Sequence, residues 1–137
     1  SIGLDFNNDK LVDFQVITKT SPWTLSSAYY YSIEIKPLGN NSVCVSKTNN
    51  SWVDSLNLGD TIDSRINWSD SIAMLYSYYH QYFTPTGPIT TIKGYWDQNK
   101  GYYIGIRIVN GDNQFFGWID IRKWLIQQYA ITIPYLI

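Results

Sequence analysis

The stretch "GYYIGIRIVNGDNQFFGWIDIRK", residues 101–123, carries the clearest fold signal in the sequence. Ile104, Ile106 and Ile108 stand at alternate positions, so in a strand they share one face. The turn sequence "NGDN" at residues 110–113 separates this run from a second apolar run. The pattern predicts a β-hairpin. Glycines at positions 105 and 117 interrupt its two strands, and we expect large aromatic side chains to lie across the bare backbone there.

Strand signals recur upstream of this hairpin and once after it. Residues 27–36 alternate at their end, and the turn residues at 37–41 predict a hairpin with the run that follows. Strand-like runs occur at residues 13–20, 27–36, 42–47 and 129–133. Short strands with turns at regular spacing predict a mainly β fold, an antiparallel sandwich or a barrel-like single domain over residues 1–137.

The segment "SDSIAMLYSYYHQYF", residues 69–83, is the one place where a helix competes with a strand. Its large apolar residues follow helical spacing, and Ser69 or Asp70 is a suitable cap. Its tyrosine-rich composition also suits a strand. We predict at most one short helix, around residues 70–82.

Composition narrows the classes of function. The net charge of −1 gives no electrostatic footprint for nucleic acid, and no apolar run is long enough to span a membrane. The single cysteine, Cys44, excludes an internal disulfide and is expected to be a small buried hydrophobe. Glu34 is the only glutamate, and aromatic residues make up 17% of the chain. This mix, rich in Asn, Ser, Thr and Tyr, resembles that of exported bacterial proteins, so we expect a secreted or cell-surface protein.

The N-terminal loop, which we define as residues 5–13, has oxygen-bearing side chains at alternate positions. Calcium prefers six to eight hard oxygen ligands, and closely spaced carboxylates repel one another unless a cation relieves them. A bound Ca²⁺ would take side-chain oxygens and, at Leu11, a backbone carbonyl. The alternative is a solvated polar turn. The candidate metal ligands are Asp5, Asn7, Asp9, Leu11 and Asp13.

The stretch "LDFNNDKLVDFQV", residues 4–16, resembles the DxNxDGxxDF opening of FG-GAP and dockerin-like calcium loops. Together with "YIGIR" at 103–107 and "FGWI" at 116–119, it is similar to a group of exported surface domains of Bacteroidetes and their relatives. The resemblance implies a secreted or surface-anchored β-domain and carries no catalytic residues. Lys10 stands where the family has glycine, and Phe116 stands where it has tyrosine.

The tryptophans are the second candidate site. Flat aromatic faces stack on the C–H surfaces of sugars, and a glycan or protein ligand is expected to contact them. We expect Trp118 and Trp124, in or beside the terminal hairpin, to be core residues. The alternative is that all six tryptophans serve packing. The candidates for exposed ligand-binding platforms, in loop-like polar segments, are Trp52, Trp68 and Trp96.

Signals for catalysis are weak. His80 is the only histidine, so a His-rich zinc site is excluded, and none of the aspartates in predicted loops is singled out as half of a catalytic pair. The preferred hypothesis is a non-catalytic binding module for a glycan or a protein. The alternative is a purely structural or interaction domain of a surface assembly, and a hydrolase using loop aspartates ranks third.

Overall fold

The computed structural model describes residues 1–21, 28–94 and 103–120 of the 137-residue chain. These residues form two antiparallel sheets that pack together as a sandwich and do not close into a barrel. The large sheet has the order β1-β2-β3-β6-β7. Its strands are β1 (Ile2–Leu4), β2 (Phe14–Thr20), β3 (Ala28–Pro37), β6 (Ala73–Gln81) and β7 (Ile89–Lys93).

The small sheet has the order β5-β4-β8-β9. It contains β4 (Ser42–Cys44), β5 (Trp68–Ser69), β8 (Tyr103–Asn110) and β9 (Asn113–Asp120). The mainly β sandwich that the sequence predicts is therefore confirmed. Within the ranges that the structure describes, no helix is long and apolar enough to cross a membrane.

One hydrophobic core lies between the sheets, because each strand turns alternate apolar side chains inward. The large sheet supplies Phe14 and Val16 together with Ile33 and Ile35. The small sheet and its neighbouring bridges supply most of the remainder. Those residues are Val43, Val45, Val53, Ile104, Ile106, Ile108 and Ile119.

The terminal hairpin forms as predicted. Strands β8 and β9 pair from Tyr103↔Asp120 to Asn110↔Asn113, which leaves a two-residue turn. Gly111 takes the first of those two positions with φ 59°, a left-handed conformation that glycine adopts without steric cost. The predicted strand at residues 129–133 lies outside the described residues.

The predicted helix around residues 70–82 is wrong. This segment forms β6, which pairs with β3 on one side and with β7 on the other. A register shift opposite Ile33 and Glu34 leaves Leu75 as an extra residue in β6. Burial still alternates along β6, with Ala73, Leu75 and Ser77 buried and half-buried residues between them. Tyrosines on the less buried face add large aromatic residues to the apolar positions, and their combined spacing imitates a helix.

The predicted hairpin between residues 27–36 and 42–47 is also wrong. Strand β3 belongs to the large sheet and β4 to the small sheet, so the turn between them carries the chain across the sandwich. Asn41, buried at that corner, accepts the N–H of Val109 at 3.0 Å. Its amide also donates to Asp13 Oδ1 at 3.1 Å. The corner is thus fixed to β8 and to the end of the N-terminal loop.

Candidate functional site

The first part of the N-terminal loop is organised by the carboxylate of Asp5. Its Oδ1 accepts the N–H of Asn8 at 2.7 Å, and its Oδ2 accepts the N–H of Lys10 at 2.9 Å. Asn8 and Lys10 have φ values of 60° and 70°, in the left-handed region. Lys10 therefore adopts the backbone conformation for which glycine is the usual residue. Asp5 holds this tight turn in shape by binding its backbone N–H groups.

Asn7 and Asp9 continue the same pattern one step further along. Asn7 Oδ1 accepts the N–H of Asp9 at 3.1 Å, and Asp9 Oδ1 accepts the N–H of Leu11 at 2.8 Å. Asn7 Nδ2 also donates to Asp9 Oδ2 at 3.0 Å. These are the local Asx-type bonds by which such side chains stabilise turns.

Asp13 has a different role from the other predicted metal ligands. It is buried, with 5% of its surface exposed. Its Oδ2 accepts the N–H of Phe6 at 2.7 Å, and its Oδ1 accepts the amide of Asn41 at 3.1 Å. Asp13 thereby joins the start of the loop, the end of the loop and the corner between the sheets.

The oxygen atoms of the N-terminal loop are of the type that calcium prefers, but their positions suit a bound ion only in part. Asp5, Asn7 and Asp9 offer hard oxygens, and a carboxylate oxygen that accepts one N–H keeps a second lone pair. Asp5, Asp9 and Asp13 all direct both carboxylate oxygens to protein donors, and Asp13 is in addition buried. Within the described part of the chain, no group of three or more His, Cys, Asp or Glu residues is arranged to hold a metal ion.

The three tryptophans selected from the sequence do not form one platform. Trp52 is half-buried, forms a parallel bridge with Met74, and lines a shallow hollow with Asn49 and Lys93. Trp68 is half-buried in β5, where its Nε1 donates to the carbonyl of Asp63 at 2.9 Å. Trp96 lies outside the described residues.

Trp118, which we expected in the core, is 46% exposed. Its neighbour Ile119 points into the core, so alternation along β9 directs Trp118 and Phe116 to the opposite, outer face of the small sheet. The two-residue alternation of a strand, applied to β9 with Ile119 facing inward, predicts this orientation from the sequence alone.

The outer side of the small sheet carries a set of residues that we call the aromatic face, namely Trp68, Arg107, Phe116 and Trp118. The guanidinium of Arg107 lies 5.4 Å from the centre of the Trp68 ring, and the Trp68 and Phe116 rings are 5.7 Å apart. Arg107 Nε donates to Ser42 Oγ at 2.8 Å. The cation–π contact and this hydrogen bond fix the centre of the face.

Beside Trp118 is a hollow of about 310 Å³, which we call the Trp118 hollow. Its far wall is the turn at residues 57–60. The N–H of Asn57 donates to Asp60 Oδ2 at 2.7 Å, and Gly59 takes a φ of 94°. Leu58, at the tip of this turn, is 87% exposed. The residues that line the hollow are Leu56, Asn57, Leu58, Gly59, Asp60, Ile62, Tyr103 and Trp118.

Close packing under the outer face explains why the hollow lies where it does. A Cβ on Gly105 would lie 3.0 Å from Cys44 Cβ and 3.0 Å from Leu56 Cδ1. The aliphatic side chains of Leu56 and Ile66, rather than the aromatic ring that we expected, cover Gly105. Cys44, beside Gly105, is buried, as the sequence predicts, and burial raises the pKa of its thiol to about 12. A thiol with so high a pKa is a poor nucleophile.

The residues considered for catalysis have structural partners. His80 Nδ1 forms a hydrogen bond with Thr90 Oγ1 at 2.6 Å, and its ring stacks on Tyr78. Hydrogen bonds from Arg65 lower the pKa of the partly exposed Asp63 carboxyl. Asp60 is the one carboxylate among the described residues that line the Trp118 hollow, whereas glycoside hydrolysis uses two.

Comparison of the chain with models of protein families, with curated proteins and with solved structures gave no match.

Proposed function

We propose that this domain is a non-catalytic binding module that holds a glycan against the aromatic face of its small sheet. The observation that carries the proposal is the exposure of Trp118 beside an open hollow. A large aromatic side chain at the surface leaves apolar area in water unless a ligand covers it.

The spacing of the face supports a ligand made of repeated rings. Phe116 and Trp118 are two residues apart on one strand, a rise of about 6.6–6.8 Å. Both side chains are partly exposed, at 38% and 46%. Successive sugar rings can therefore stack on successive aromatic side chains, with Arg107, which lies opposite Phe116 on β8, as a hydrogen-bond donor.

A second candidate is an interaction domain that packs against another protein in a surface assembly. Three large apolar side chains outside the aromatic face favour it, because exposed apolar area is typical of protein contacts. These are Leu58, Phe83 and Phe115, exposed by 87%, 78% and 57%. We rank it second because these three residues come from three separate segments of the chain, whereas Trp68 contacts both Phe116 and Arg107.

We further propose a weak Ca²⁺ site at Asp5, Asn7, Asp9 and the carbonyl of Leu11, and an extracellular or cell-surface location. The hard oxygens and their spacing support the ion. Bound calcium would neutralise two carboxylates and hold the turn that carries Phe6. Titration calorimetry of chelator-treated protein tests it: saturable heat that disappears in Asp5→Asn supports the site, and no heat at millimolar calcium rejects it.

The experiment for the main proposal is a glycan-array screen with the purified domain, followed by titration of each hit. Trp118→Ala should lose at least about tenfold in affinity, since anchoring aromatics dominate binding energies. The matched control is Trp52→Ala, which removes a tryptophan away from the aromatic face. No hit on a broad array, or equal losses in the two variants, would reject the proposal.

A further inference from the structure

The walls of the Trp118 hollow are more apolar than a binding site for plain sugar hydroxyls requires. Leu56, Leu58 and Ile62 line it together with the rings of Tyr103 and Trp118. Hydroxyl groups pressed against such walls lose hydrogen bonds to water and gain none in return. A methyl group in the same place loses nothing and gains apolar burial.

Polar groups lie on the turn that closes the hollow. Asp60 Oδ2 is used in the turn, where it accepts the N–H of Asn57 at 2.7 Å. A carboxylate accepts several hydrogen bonds, so Oδ1 is the acceptor that we assign to a ligand. The hollow therefore combines an aromatic wall, aliphatic walls and, at Asp60, an acceptor that matches an N–H donor.

We propose that the Trp118 hollow is a subsite for a sugar ring that carries an N-acetyl group. The ring stacks on Trp118, the acetyl methyl contacts Leu58 and Ile62, and the amide N–H donates to Asp60. This inference rests on the proposed glycan-binding function and adds its specificity: the aromatic face supplies affinity, and the hollow selects the substituent. The cavity of about 310 Å³ is at the lower end of the size range of ligand pockets, which suits one ring.

Two commercially available ligands isolate the acetamido group. Chitohexaose and cellohexaose share a β-1,4-linked backbone and differ only at position 2, where the first has an acetamido group and the second a hydroxyl. Titration calorimetry should give about tenfold tighter binding of chitohexaose, the usual discrimination for one apolar group in a shaped pocket. Leu58→Ser should reduce this preference without unfolding the domain, since Leu58 is 87% exposed.

The matched control is Leu11→Ser, which removes an equally large, exposed leucine from the N-terminal loop and should leave the preference intact. Equal affinity for the two hexaoses, with both lost in Trp118→Ala, would overturn the N-acetyl subsite and leave the glycan-binding proposal standing. An unchanged preference in Leu58→Ser would also overturn it. Binding of neither hexaose overturns the subsite, and the array then decides separately on the glycan proposal.

Discussion

The N-terminal loop and the aromatic face are the two regions whose sequences look most unusual, and they use their side chains in opposite ways. In the loop, the oxygens of Asp5, Asp9 and Asp13 bind backbone N–H groups of the same loop. On the aromatic face, Phe116 and Trp118 keep much of their surface in water. Loop side chains therefore contribute mainly to stability, whereas face side chains are available for a ligand.

The largest expected effect tests the stabilising role of the loop. Asp13→Ala should lower the free energy of unfolding by about 3 kcal/mol, because it removes a buried acceptor from Phe6 N–H and from the Asn41 amide. Urea denaturation measures the change. Asp9→Ala, in the exposed part of the same loop, is the control and should cost less than about 1 kcal/mol. Equal losses of unfolding free energy in the two variants would show that the loop acts as a single unit. Asp13 would then have no special role within it.

The converse test is made on the aromatic face. Trp118→Ala should change the free energy of unfolding by less than about 1 kcal/mol, since the side chain is nearly half exposed and is not part of the core cluster. Its loss of ligand affinity should be at least about tenfold, which corresponds to about 1.4 kcal/mol. Parallel urea denaturation and titration calorimetry separate the two quantities. A large loss of stability with unchanged affinity would make Trp118 a packing residue.

Because Cys44 is buried beneath the aromatic face, we expect the stability of the fold to depend on pH. An unfolded cysteine has a pKa of about 8.5, and burial raises the pKa of Cys44 to about 12. Below the unfolded value, both states keep the proton and the full stability is present. As the pH rises toward the folded value, the unfolded chain alone loses its proton, and stability falls by up to about 1.4 kcal/mol per pH unit.

Urea denaturation at about pH 8 and about pH 10, on the natural chain and on Cys44→Ala, measures this effect. The two proteins share all other titrating groups, so the difference between them isolates the thiol. As the pH rises, the free energy of unfolding of the natural chain should fall relative to that of Cys44→Ala. A constant difference would mean that Cys44 titrates in the folded state as it does in the unfolded chain.

The smallest expected effect concerns Lys10 in the N-terminal loop. Lys10 has φ 70°, which costs free energy for any residue with a side chain. Lys10→Gly should therefore raise the free energy of unfolding by about 0.5 kcal/mol, after the greater entropy of an unfolded glycine is subtracted. Lys10→Ala removes the charge without relieving the backbone and should not stabilise. Thermal unfolding of the two variants distinguishes backbone strain from charge.

The sequence was most informative where one local pattern decides the structure. The hairpin of β8 and β9 follows from alternating isoleucines and a glycine turn, both of which act over a few residues. Buried Cys44 follows from its place in an alternating run. In these places, local pairing and local turn chemistry are sufficient.

The predictions from sequence were wrong where contacts between residues far apart in the chain determine the structure. The segment of β6 is a strand because it pairs with β7 and with β3, which lies about 40 positions earlier in the chain, and no local pattern reveals these partners. The sequence at 37–41 is typical of a hairpin turn. In the structure, however, the hydrogen bonds of Asn41 with Asp13 and Val109 direct the chain to the other sheet. The Trp118 hollow is formed by segments around residues 56–62 and 103–118, so neither half of the chain predicts it alone.

The turn at residues 57–60 has a consequence for how this protein could change its choice of ligand. Two hydrogen bonds between Asn57 and Asp60 close this turn, Gly59 adopts the positive φ that it needs, and Leu58 is 87% exposed. The tip residue, Leu58, is therefore largely independent of the two sheets. In directed evolution, a library at position 58 that keeps residues 57, 59 and 60 would sample new specificities at little cost to folding.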